Sequence, residues 1–204
     1  MWEGRNMNKY VRVVGVLLVV LSVFAMAGTP ASPEIGAKAP EFTLKDTNGK
    51  SHSLNEHFTS KYVALIFVST RCPVSNAYNE RMAKLANDYT SKGVTFLGIN
   101  ANVKEDVEEI KEHASKNGFK FALLKDVDNV VADLYSATVT PEVFVLDNKG
   151  ILRYHGRIDD SKDADDVSSH DLRATLDALL SGKDVSRAET KAFGCSIKRA
   201  KKQG

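Results

Sequence analysis

Cysteine is scarce in this sequence: two residues, Cys72 and Cys195, among 204. Two thiols cannot staple a disulfide-rich mini-fold, and by themselves they cannot complete a four-ligand zinc site. An excess of one charge is lacking too. The 28 Lys+Arg and 26 Asp+Glu leave a net charge of +2, which gives no footprint for nucleic-acid binding. The sequence has no internal repeat and no low-complexity segment. No apolar run reaches the about 18 residues of an ordinary membrane-spanning helix. Hydrophobic residues are well represented at 43%, enough to bury a core and to exclude a disordered chain.

The longest apolar run lies at the N-terminus. Arg5, Lys9 and Arg12 precede an uncharged stretch from Val13 to Ala27 that ends in Ala25-Met26-Ala27. A basic start, a short apolar segment and a small-x-small end predict a secretory signal peptide over 1–27, cleaved after Ala27. The alternative is the same run retained as an anchor. Without the leader, 28 Lys+Arg become 25 and 26 Asp+Glu become 25, so the positive balance belongs to the leader. The expected protein is exported, periplasmic or secreted, without a permanent span, in a compartment that permits disulfides.

The remainder alternates strand and helix signals. Residues 28–40 read as a linker. Asn48-Gly49 between Phe42–Leu44 and Ser51–Leu54 predicts a hairpin. Tyr62–Val68 is an unbroken apolar run, as in a strand buried on both faces. Pro73 opens an amphipathic helix running to Tyr89, with Gly93 as its stop. Val94–Ile99, Phe119–Leu124, Glu142–Leu146 and Ile151–Ile158 read as strands; 107–118, 130–134 and 172–180 read as helices. The pattern calls for one α/β layered domain over 41–182, with a central, mostly parallel sheet and an antiparallel edge after Asn148-Lys149-Gly150. The tail, 183–204, carries Cys195 but no periodicity.

The chemistry centres on Cys72, which ends a buried strand and begins a helix. Unpaired amides and the helix dipole there favour an anion, so the thiol pKa should fall; adjacent Arg71 adds to this. A thiolate is the nucleophile of disulfide exchange and of peroxide attack. The bland alternative is an inert, buried thiol.

The segment VALIFVSTRCPVS resembles the active-site strand of the thioredoxin superfamily, most nearly its AhpC/TSA–redoxin (peroxiredoxin-like) branch. Thr140-Pro141 before a buried strand and the Asn148-Lys149-Gly150 turn extend the likeness over about residues 35–182. The resemblance implies a thioredoxin-like three-layer α/β/α sandwich with a central mixed sheet and an N-terminal β-hairpin extension. It implies a cis Pro141 beside Cys72, and a substrate groove formed by Thr140, Pro141, Pro73, Arg71 and Ser75. It calls for no cofactor and no metal. The expected partners are protein thiols and disulfides, or peroxide, together with an unidentified electron donor.

Ser75 departs from the family's Cys-x-x-Cys pattern and removes the local resolving thiol. Either Cys72 acts alone or Cys195 resolves it; the rival is a static Cys72–Cys195 staple in a binding module for copper or a protein. A peroxidase reading has Ser69 three residues before Cys72, but Leu65 where the family motif carries proline. Its cation would be Arg157 or Arg153, although both alternate onto the polar face of a strand. The five histidines show no ligand-pair spacing, and His113 reads as a packed helix residue. The acidic run Glu105–Glu109 reads as a helix start that complements the dipole, and the Asp159–Asp166 cluster as a solvated loop.

Intact-mass measurement of the exported protein is expected to give a chain that begins at Gly28. A product retaining residues 1–27 would assign the apolar run to an anchor.

Overall fold

The computed structural model describes residues 32–201, so the proposed leader at 1–27 lies outside the described residues. The strands are β1 Thr43–Asp46, β2 Ser51–Ser53, β3 Tyr62–Phe67, β4 Val94–Asn100, β5 Ala122–Lys125, β6 Val139–Thr140, β7 Glu142–Asp147, β8 Leu152–Gly156 and β9 Cys195–Ser196. The helices are α1 Pro73–Ala77, α2 Asn79–Thr90, α3 Val107–Lys116, α4 Val130–Leu134 and α5 Asp171–Leu180. Seven strands form one sheet in the order β2-β1-β5-β4-β3-β7-β8, and β6 pairs with β9 apart from it.

The sheet is mixed. β3–β4 and β4–β5 are parallel, while the pairs β1–β2, β1–β5, β3–β7 and β7–β8 are antiparallel. The mostly parallel sheet expected from alternation alone is therefore corrected. Two hairpins, turning at Gly49 and Gly150 with positive φ, add an antiparallel pair at each edge.

β3 shows why the apolar run was needed. Val63, Leu65 and Phe67 enter one core with Tyr135, Phe144 and Val131 of α4. Ala64, Ile66 and Val68 enter the other with Met82, Leu85, Ile110 and Leu172 of α2, α3 and α5. Strand side chains alternate, so a strand covered on both faces must be apolar at every position. At about 25 cal/mol per Å2 of apolar area, these two layers supply the main stabilisation.

Three local differences from the sequence reading have physical causes. The expected helix from Pro73 to Tyr89 breaks into α1 and α2 at Tyr78, whose N–H bonds to Ser75 O rather than continuing the four-residue ladder. Asp159 is buried rather than solvated, because Arg81 Nη1 grips both its oxygens at 2.7 and 2.8 Å. The aperiodic tail forms β9 and, among its described residues, is tied down around it. Ile197 N–H donates to Thr138 O, Val103 N–H to Lys198 O, and Ala200 N–H to Asn129 Oδ1. At Gly194, φ is 155° and an added Cβ would lie 1.9 Å from Thr140 O, so only glycine lets the tail approach β6.

Gly194→Ala is therefore expected to displace the tail from β6. Thiol counting on the air-oxidised variant should find a substantial free Cys195 fraction; complete disulfide formation would contradict this packing.

Candidate active site

Chain direction places Cys72. β3 and β4 are adjacent and parallel, so the loops after them emerge at one edge of the sheet. The loop after β3 delivers Cys72 as the N-cap of α1, with Pro73 at the first helical position, where a missing N–H costs nothing. Ser75 N–H donates to Cys72 Sγ at 3.3 Å, and Cys72 is 3% exposed. A hydrogen bond to a sulfur is weak while that sulfur is neutral and becomes charge-assisted once it is a thiolate. Ser75 contributes in a second way: its buried Oγ accepts Ser69 N–H at 3.2 Å and closes the loop on itself.

Cys195 is bonded to Cys72 across 123 residues, with the Cα atoms 5.8 Å apart. The two cysteines are therefore paired in this structure rather than apart. The tertiary cause is β9: Cys195 sits opposite Thr140 in the β6–β9 register, and Thr140 O lies 3.5 Å from Cys72 Sγ. The Thr140–Pro141 peptide is cis. Thr140, Pro141, Ser75 and Cys72 are thus brought together, while Pro73 and Arg71 lie on the exposed side of the same turn.

Glu105 is the residue that sequence reasoning missed. It is 4% exposed and collects four donors from around the Cys72 loop. Ser69 Oγ–H donates to Oε1 at 2.5 Å and Arg71 N–H to the same oxygen at 3.3 Å. Thr70 N–H donates to Oε2 at 2.8 Å, and Asn100 Nδ2 to the same oxygen at 2.5 Å. Ser69 Oγ in turn accepts Cys72 N–H at 3.0 Å, so the carboxylate acts on Cys72 through one hydroxyl.

Glu109 of α3 takes Arg71 with two oxygens, at 2.9 and 3.1 Å from Nε, and this pairing holds the Glu109 carboxyl below its ordinary range. The dipole reading of the acidic run holds for Asp106, the α3 N-cap whose side chain accepts Glu109 N–H, but not for Glu105. The only sequence signal for Glu105 was its place just after a strand parallel to β3.

Arg157 is held by a carboxylate. Its Nε donates to Asp171 Oδ2 at 2.7 Å, and Arg153 is likewise held by Asp147. His113 is packed as expected: its ring meets Phe119, and burial pushes its pKa below the ordinary imidazole range. Beside the disulfide opens a cavity of about 300 Å3, lined in part by Ser69, Cys72, Glu105 and Cys195.

Comparison with known proteins bears on the family and the fold. The chain is 29% identical over 143 residues to the thiol-disulfide oxidoreductase ResA of Bacillus subtilis (strain 168), covering 67% of this chain and 78% of that protein. It is 30% identical over 160 residues to a chloroplastic peroxiredoxin Q of Triticum aestivum, covering 65% of this chain and 68% of that one. The crystal structure of a hypothetical protein of Sinorhizobium meliloti 1021 matches with a TM-score of 0.78 at 36% identity, over 83% of this chain and 97% of that chain. The AhpC/TSA family profile matches residues 35–155, more than half of the sequence, and with its thioredoxin-like fold the chain belongs to the AhpC/TSA family.

Proposed function

We propose that this protein is an exported thiol–disulfide oxidoreductase in which Cys72 is the nucleophile and Cys195 resolves it. The observation that carries the reading is the bond between a helix-capping Cys72 and a tail cysteine, with Ser75 N–H already aimed at the Cys72 sulfur. The chemistry is a two-electron exchange. Cys72 thiolate attacks a substrate disulfide and forms a mixed disulfide as one substrate thiolate leaves. Cys195 thiolate then attacks Cys72 Sγ, forms the observed bond and releases the second substrate thiolate.

Cys195 replaces the resolving thiol that Ser75 lacks. Backbone hydrogen bonds at Ile197 and Lys198 hold the tail close to Cys72, which keeps the reduced pair within reach. A static staple has one argument in its favour: on chain-entropy grounds a loop of this length stabilises by about 5 kcal/mol. The 29% identical ResA bears the name of a thiol-disulfide oxidoreductase, which supports exchange over a staple. Peroxide turnover has less support, since Arg157 is committed to Asp171. Export is supported by the leader read at 1–27 and by the bond itself, which suits an oxidising compartment. Among the described residues no helix is long and apolar enough to cross a membrane.

After reduction, the pH dependence of iodoacetamide alkylation should give Cys72 a pKa at least one unit below the about 8.5 of a free thiol. A value at or above 8.5 would remove the activated nucleophile. Glu105→Gln keeps the size but sets an NH2 group against donors from the Cys72 loop. It is expected to cost about 1–3 kcal/mol of stability by urea unfolding. It should also shift the Cys72 alkylation pKa, a readout that a purely structural role would leave in place.

A further inference from the structure

The thiol-exchange reading leaves open what reopens the Cys72–Cys195 bond. We infer that the cavity beside it is the binding site of a small, anionic thiol that attacks Cys195. This rests on that reading and adds the chemical class of the reductant.

Three observations carry the inference. First, the strand edge beside the disulfide is occupied. β9 pairs with β6 at Val139 and Thr140, and Gly194 lies against Thr140 O with no room for a Cβ. An extended protein segment cannot add to an edge that is already paired. Beside the disulfide opens a cavity of about 300 Å3, at the small end of ligand pockets.

Second, the cavity carries unused positive charge, and one of its lining residues has an unused donor. Arg71, Lys104 and Lys198 line it, and Arg71 is neutralised by Glu109. Among the described residues, Lys104 and Lys198 form no ion pair. Asn102 lines the same space and is 4% exposed. Its Oδ1 accepts Lys198 N–H, while its buried Nδ2 has no partner among the described residues. A buried amide N–H without an acceptor is costly, and a ligand carboxylate would satisfy it once the side chain turns towards the cavity. Glu105 is the opposing charge on the lining, but four donors already hold its oxygens.

Third, the two sulfurs are unequal. Cys72 is 3% exposed, whereas Cys195 is half-buried and lines the cavity. Attack at Cys195 also expels Cys72 as the leaving thiolate, the one that Ser75 N–H stabilises. The step balances. An incoming thiolate forms a bond to Cys195 Sγ as the Cys72–Cys195 bond breaks, and Cys72 leaves as thiolate. A second thiolate attacks the small-thiol sulfur of that mixed disulfide. It forms the oxidised small disulfide, and Cys195 leaves as thiolate and takes a proton from water. Two thiols lose two electrons and the protein disulfide gains them.

The test uses the full oxidised protein and three thiols of similar size: 3-mercaptopropionate, 2-mercaptoethanol and cysteamine. Rates of bond opening are compared per thiolate. The anionic thiol is expected to react about tenfold faster than the cationic one at low salt, the preference fading as salt rises. In Lys104→Gln/Lys198→Gln that ratio should fall towards one, and peptide mapping of the trapped adduct should find the small thiol on Cys195. Equal rates for the three, an adduct on Cys72, or a protein dithiol reducing the bond a hundredfold faster would overturn the inference. Dithiothreitol distinguishes the two readings. If it opens the bond in the folded protein but charge has no effect, only this inference fails. If the bond resists dithiothreitol in the folded protein, the exchange reading fails and this one falls with it.

Discussion

The contact on which the oxidised structure depends is the short β6–β9 pairing beside Cys72. Two residues on each side place Thr140 opposite Cys195 and bring Thr140 O to 3.5 Å from Cys72 Sγ. A two-residue ladder is marginal by itself. It holds because the disulfide, Gly194 and the hydrogen bonds at Ile197, Lys198 and Ala200 act on the same stretch of chain. Loop closure grows only logarithmically with length, so the 123-residue separation is a small obstacle once these contacts exist.

Around that contact the molecule separates rigid support from a reactive turn. The sheet is apolar on both faces and anchors the end of β3. The turn beyond it is polar, and nearly every group is satisfied. Ser69 and Ser75 bridge the loop internally, Glu105 gathers its donors, and Arg71 is clamped by Glu109. A buried carboxylate with four donors orders backbone that would otherwise be free to move. The exceptions are Thr140 Oγ1 and Asn102 Nδ2, buried without partners among the described residues and both beside the disulfide.

The fold was legible where local pattern and burial agree. The run at Tyr62–Val68 read as a doubly covered strand because every residue in it is apolar, and Asn48-Gly49 read as a hairpin because its turn chemistry is local. Val130–Leu134 is a helix with the bounds expected. Pairing direction was less legible, since alternation speaks to crossovers and says little about hairpins at the sheet edges. At the site, Cys72 was visible from its place between strand and helix. Glu105 was not, because a carboxylate before a helix has a sufficient local explanation. Arg157 was legible only in part: strand periodicity set its face, but its partner Asp171 is fourteen residues away and invisible to that periodicity.

The sequence alone determined that Cys72 would cap a helix at the end of a central strand and that Ser75 could not resolve it. Both follow from residue identity and short-range geometry. Tertiary structure decided that Cys195 would do the pairing, that Glu105 would hold the loop, and that Lys104 and Lys198 would share a cavity with the disulfide. The reason is distance along the chain. Parallel strands bring loops to one edge, and an aperiodic tail finds its place only when a formed surface offers hydrogen-bond partners and room for its glycine.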